Sequence, residues 1–501
     1  MLDFALKMSR RKQMQLLLNV AKCGNAKTTP SQRNNASVAG AIPLDALDTG
    51  VSTQEKNIPF EQMPGPKGFP LLGTIPYHFP GGKFHGLQHN EVTDMCQKEY
   101  GTIYKETILP GFTLVHLFDP NDIETVFRAD GKYPMREAFH TLAHFNKKFN
   151  NNTQGLLTSK KCFDQRLYQL ICLNNQLYQM ISCQDYISYE IRWCGIAVVC
   201  FNKRLGALQN HAPDSEAARF IDAVDIVMDV SQKEFKQLPW YRLFNTPTFK
   251  RLAKAQYIIR QLAVKYSQKA LEDVQKRLDA GEDVTGEQGD LIPYLMSKTE
   301  LTEDQVLTVI SELILAGVDT TGHHLAFTLY LLALNKDKQD ILYKEINENI
   351  PHNDQPTENE VSSLSYLKAV LKESHRVLPV APGNIRKTVK DLVLSGYTIP
   401  AGVSVAIHTN WVGKQETYFK DSHKFKPERW LRINGSSTNS HPFAYLPFGF
   451  GPRSCIGKRF AEQESTLALI KILKNFHIDY VGEDLKIECS ITNTPIIIRK
   501  Q

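Results

Sequence analysis

The stretch LPFGFGPRSCIGKRF (446–460) sets one cysteine, Cys455, in a basic, glycine-studded, otherwise apolar run. Phe448, Gly451, Arg453, Cys455 and Gly457 spell F-x-x-G-x-R-x-C-x-G, five specified positions in ten, which background residue frequencies do not readily supply by chance. No CxxC partner accompanies the thiol, so zinc and dithiol readings have little footing. A lone cysteine is ordinarily a small buried hydrophobe. Here the loop glycines allow close backbone approach to a flat ligand. A helix beginning just after Cys455 would aim its open N–H groups and positive end at the sulfur, which favours thiolate.

The 501-residue chain is 42% hydrophobic and 22% charged, the balance of a globular protein rather than a disordered or fibrous one. Its nine cysteines, odd in number and irregular in spacing, argue for thiols in a reducing compartment. Five of them, from Cys162 to Cys200, lack metal-ligand spacing and read as structural. The net charge of +6 sits entirely in residues 1–40, where Lys7, Arg10, Arg11, Lys12, Lys22, Lys27 and Arg33 face only Asp3. The rest of the chain balances and gives no reason to expect nucleic-acid binding. In the same segment Leu2, Ala5, Leu6, Leu16, Leu17 and Val20 share one side of a helical wheel, largely opposite Lys7, Arg10 and Arg11. Residues 1–40 therefore read as a mitochondrial transit peptide. No run near the start reaches the roughly 20 apolar residues of a membrane span, which argues against an endoplasmic-reticulum anchor.

Residues 41–56 continue a polar, mixed linker, and MPGPKGFPLLG (63–73) makes a rigid entry to one domain spanning 57–501. Its dominant pattern is helical. LTEDQVLTVISELILAGVDTTGHHLAFTLYLLALN (301–335) predicts a long helix, opened by Thr302 and apolar nearly all round, that must run through the middle of the protein. SYLKAVLKESHRVLPV (365–380) predicts a second helix, ended by Pro379, and TLVHLF (113–118) and VSVAIHT (403–409) predict short strands. The fold class is mainly α with a minor β region.

Three further patterns carry chemistry. AGVDTT (316–321) places Gly317, Asp319 and Thr320 inside the apolar helix, predicting a polar break where a threonine hydroxyl diverts a backbone carbonyl. A buried Asp319 is costly unless paired or solvated, so the break reads as a proton-relay point opening on a small-molecule pocket. ESHR (373–376) puts Glu373 and Arg376 on one helix face, and FKPERW (425–430) is a turn presenting Arg429.

In this order the four patterns resemble the cytochrome P450 family, the haem-thiolate monooxygenases. The resemblance implies a P450 fold with the long helix crossing over haem b and Cys455 as axial ligand of the haem iron, its thiolate promoting O–O cleavage on the opposite side. It implies that Arg453 and Arg386 hold haem propionates and that Phe448 packs beside the ligand, with Gly451 and Gly457 shaping the loop. Glu373, Arg376 and Arg429 would form the buried network that locks the haem-side core. Asp319 and Thr320 would deliver protons to dioxygen.

GKYPMR (131–136) is similar to a segment of the mitochondrial class. Lys368 and Lys372, one turn apart before Glu373, match the lysines with which that class docks an adrenodoxin-type ferredoxin, and Lys458 and Arg459 extend the patch. The implied partners are that ferredoxin with its NADPH-dependent reductase, dioxygen and a lipophilic substrate (a steroid or a foreign compound). The implied location is the matrix side of the inner mitochondrial membrane, in peripheral association with it. One region departs from the family: after TQGLLTS, residues 160–198 carry no Trp-x-x-x-Arg propionate motif. The alternative reading is thus a haem-binding protein without turnover.

Overall fold

The computed structural model describes residues 57–131, 134–135, 140–153, 155, 157–158, 215–233, 240–281, 291, 295, 302–351, 356–431, 440–480, 486–489 and 493–496. The expected transit peptide, the linker and the atypical 160–198 segment lie outside the described residues.

In chain order the described elements begin with α1 (His89–Tyr100), β1 (Ile103–Leu109), β2 (Phe112–Leu117), α2 (Pro120–Ala129), α3 (His140–Phe149), α4 (Glu216–Lys233) and α5 (Pro247–Asp279). They continue with α6 (Glu303–Leu334), α7 (Lys336–Asn349), α8 (Glu358–Ser363) and α9 (Ser365–Val377). After these come β3 (Asn384–Lys387), β4 (Leu392–Leu394), β5 (Tyr397–Ile399), β6 (Ser404–Ile407), α10 (Thr409–Val412), α11 (Lys458–Asn475), β7 (Lys486–Cys489) and β8 (Asn493–Ile496). Helix dominates and the strands are short, as the sequence indicates.

Helix α6 organises the core. Thr302 caps it by accepting from the Gln305 N–H, and the Gln305 side chain returns the bond to the Thr302 N–H at 2.8 Å. Val306, Val309, Ile310, Leu313 and Ile314 of its first half pack with α4 and α5. Leu325, Leu331 and Leu332 of its second half belong to a different cluster, with α7, α9 and α11. The segment around Thr320 therefore lies where the helix passes from one apolar core to the other. The expected break is absent: α6 stays helical through 316–321. Polar atoms are accommodated without unwinding, because the Thr320 hydroxyl donates to the Ala316 carbonyl one turn back at 2.7 Å.

Helix α9 ends at Val377, just ahead of Pro379 as the sequence indicates, since Leu378 precedes the proline and takes a non-helical conformation (φ −128°, ψ 73°). The expected strands at 113–118 and 403–409 form as β2 and β6 and pair in parallel, Leu114 opposite Ser404 through Leu117 opposite Ile407. The sheet order is β1-β2-β6-β3. In the last pair Arg386 of β3 stands opposite Val405 of the wholly buried β6, which fixes the arginine on a rigid edge.

Candidate active site

The cysteine loop is folded on itself by its own backbone. The Cys455 N–H donates to the Phe448 carbonyl at 2.8 Å, the Ser454 N–H to Gly451 at 2.9 Å and the Gly449 N–H to Leu446 at 3.1 Å. Gly451 has φ +73°, a conformation that side chains disfavour. Helix α11 starts at Lys458 with Gly457 as its cap and no capping side chain, so its positive end opens three residues from the sulfur. The Cys455 thiol is exposed. Cys96, by contrast, is a buried cysteine whose thiol burial pushes up to about 12. A Cβ added at Gly451 or Gly457 would meet no protein atom within 4 Å. An exposed thiol, a helix N-terminus and open glycine faces together fit a flat group bound through sulfur.

Phe448 is held from two sides. The His375 ring meets it edge-on at 5.0 Å, and the Lys458 ammonium lies 5.6 Å from its centroid. His375 stacks at 3.5 Å on His324, one turn beyond Thr320 on α6. Burial pushes His324 down to about 4 and His375 well below the ordinary imidazole value, with His324 adding to the second shift. Two neutral imidazoles thus join the central helix to the cysteine loop. The sequence reading of ESHR as an ion pair passed over them. Asp319 lies in α6, but its side chain lies outside the described residues.

Glu373, Arg376 and Arg429 come together. Arg376 donates to Glu373 through Nε at 2.9 Å and NH2 at 2.7 Å, and Arg429 Nε donates to the same carboxylate at 3.0 Å. Trp430, overlooked in the sequence although adjacent to Arg429, adds its indole N–H at 2.8 Å. The network ties α9 to the turn Pro427–Trp430.

Arg386 and Arg453 reach a common neighbour that the sequence did not single out, Asp130. Arg386 Nε donates to its carboxylate at 2.9 Å. Burial raises the Asp130 carboxyl, while Arg386 and then Arg453 pull it back down. The signal was present in part, because Asp130 directly precedes GKYPMR.

Of the four expected docking cations, three converge. Burial raises Glu462, and Lys458, Lys372 and Arg459 oppose that shift, which places all three within electrostatic reach of one carboxylate. All three are exposed. Lys368 is exposed too but is not among the cations acting on Glu462, and its ammonium donates to the Ser362 carbonyl at 2.6 Å.

The family model for cytochrome P450 matches residues 195–498, the span holding AGVDTT, ESHR, FKPERW and the cysteine loop. This chain belongs to the cytochrome P450 family. A protein of Drosophila melanogaster named "Probable cytochrome P450 12a5, mitochondrial" is 30% identical over 472 residues, covering 84% of this chain and 86% of that protein. "Cytochrome P450 12b1, mitochondrial" of Drosophila acanthoptera is 28% identical over 509 residues, covering 93% and 92%. Cytochromes P450 are haem monooxygenases, so this P450 is an oxidoreductase whose cofactor is haem b, iron protoporphyrin IX. The exposed thiol and open glycine faces suit that cofactor.

Proposed function

We propose that this P450 is a mitochondrial enzyme inserting one oxygen atom from dioxygen into a lipophilic small molecule, a steroid or a foreign compound. Electrons come from an adrenodoxin-type ferredoxin served by an NADPH-dependent reductase. When bound, haem supplies the iron at which dioxygen is activated. Cys455 ligates that iron as thiolate, favoured by the α11 N-terminus, and Gly451 and Gly457 leave its loop open to the flat ring. Arg453 and Arg386 hold the propionates. Phe448 flanks the sulfur. Thr320, with Asp319, passes a proton toward the dioxygen side, and the Glu373–Arg376–Arg429 network keeps the haem-side core rigid.

The observation that carries the electron-donor reading is the convergence of Lys372, Lys458 and Arg459 around Glu462, beside the cysteine loop. The Lys458 ammonium also lies over the ring of Phe448, whose carbonyl accepts from the Cys455 N–H. An exposed cationic patch there suits an acidic donor, speeding encounter and fixing orientation. The relatives' names support the mitochondrial location. Among the described residues no helix is long and apolar enough to cross a membrane. Exposed Leu243 and Phe244 share one open groove with Lys147, Lys148 and Arg242, and exposed Trp240 stacks on Phe244, which supports peripheral association with the inner membrane on its matrix side.

Reconstitution tests the whole reading. With ferredoxin, its reductase, NADPH and a panel of steroids and drug-like compounds under ¹⁸O₂, one labelled oxygen atom is expected in the product. Better support from a microsomal diflavin reductase, or unlabelled product, would overturn it.

A further inference from the structure

Asp130 closes helix α2 and turns its carboxylate inward, 6% exposed, onto Arg386, 3% exposed. The Arg386 guanidinium lies 4.9 Å from the Phe127 centroid, one turn back on α2, while its NH1 donates to the Ile385 carbonyl at 3.2 Å. Its NH2 reaches the Phe450 carbonyl of the cysteine loop at 3.5 Å. Asp130 therefore fixes Nε, and the ring and the two carbonyls fix the plane of the guanidinium. The next few residues repeat the association. Pro134 offers its carbonyl to Arg453 Nε at 3.4 Å, and Met135 accepts from the Lys387 N–H at 2.9 Å, beside Arg386. Phe127 also meets Phe450 edge-on at 5.9 Å. The end of α2 and the segment after it thus touch both arginines and the loop that carries Cys455.

A buried ion pair is a weak device for stability alone, since apolar residues of similar volume serve as well. Its use in directing a guanidinium is better founded, because a planar fork recognises a carboxylate only at a set angle. We propose that Asp130 is a positioning residue for the cofactor's acid groups: it holds Arg386 by its Nε edge, within reach of Arg453, so that the arginine pair meets the propionates preformed. The inference rests on the reading of Arg386 and Arg453 as propionate partners. Asp130 acts through Arg386 and touches no reacting atom.

The test is the rate at which the purified holoprotein loses haem to excess apomyoglobin, followed in the Soret band and normalised to folded protein. Asp130→Ala is expected to speed loss about tenfold. Asp130→Asn, which keeps shape and an acceptor oxygen but not the charge, should lie between it and the native protein. Should Asp130→Ala fail to fold, Asp130→Asn decides, with at least a threefold acceleration expected (about half of the tenfold effect on a logarithmic scale). Combined with Arg386→Ala, neither variant should accelerate loss beyond Arg386→Ala alone, because both act on one interaction. Native loss rates in Asp130→Asn, or additive effects with Arg386→Ala, would overturn the proposal. If Arg386→Ala and Arg453→Ala both retain haem as the native protein does, the propionate reading fails and this proposal with it. If they lose haem and the Asp130 variants do not, only the role of Asp130 falls.

Discussion

Arg376 and Glu373 are bonded twice, Nε to Oε2 at 2.9 Å and NH2 to Oε1 at 2.7 Å, with both side chains fully buried. Arg376 NH1 donates to the Gly413 and Ser422 carbonyls and NH2 also to Lys424, so every N–H of the fork is used. Lysine cannot reproduce five donors in one plane. Arg376→Lys is therefore expected to cost about 3–5 kcal/mol, the range for breaking a buried pair, read as a lower denaturation midpoint with an unchanged denaturant slope. Haem content per folded chain should fall with it. A midpoint within error of the native value would remove the network from the account.

Thr320 donates its hydroxyl to the Ala316 carbonyl, so the group is placed on α6 without unwinding the helix. Thr320→Ala should leave stability nearly unchanged and uncouple turnover. NADPH consumption would continue while peroxide replaces hydroxylated product. An unchanged ratio of product to NADPH would take Thr320 out of the proton relay.

The lysines differ in standing. Lys372 shares the Glu462 cluster with Lys458 and Arg459, whereas Lys368 is tied to the end of α8. Lys372→Glu is expected to depress ferredoxin-supported activity more than Lys368→Glu, and the native activity should decline with added salt, since screening acts over about 8–10 Å at physiological ionic strength. Peroxide-driven oxidation, which needs no donor protein, should be spared in both. Equal loss of the peroxide-driven reaction would show that the lysines hold the fold instead.

Glu464 of α11 is 3% exposed, and burial raises its carboxyl well above the usual value. A raised folded value means stability that is fully present below the ordinary carboxylate range of about 4.5 and is lost as pH climbs toward the folded value. Glu464→Gln should therefore raise the melting temperature at pH 7–8 relative to the native protein, with the gap closing toward pH 4. A gap independent of pH would mean that the carboxyl titrates normally.

What could be read from the sequence was local. The cap at Thr302, the one-face pair Glu373–Arg376 and the glycine pattern around Cys455 are each contained within a few residues, so spacing reveals each of them. The polar break in α6 did not materialise, because an i−4 hydroxyl bond absorbs Thr320 inside a regular helix. Asp130 and Arg386 are 256 residues apart, and nothing in either neighbourhood announces the other until β3 joins β6 and α2 packs beside it. The His324–His375 stack is of the same kind, made by two helices whose sequences each read as complete alone.

In the proposed function Cys455, at the open mouth of its glycine loop, ligates haem iron as thiolate. The visible spectrum of the reduced, CO-treated protein tests it most directly. The native chain should show the strongly red-shifted Soret band of a ferrous-CO thiolate complex, and Cys455→Ser should lose that band while its far-UV dichroism persists. Retention of the red-shifted band in Cys455→Ser would mean that another residue ligates the iron, and its absence from the haem-loaded native protein would contradict the account outright.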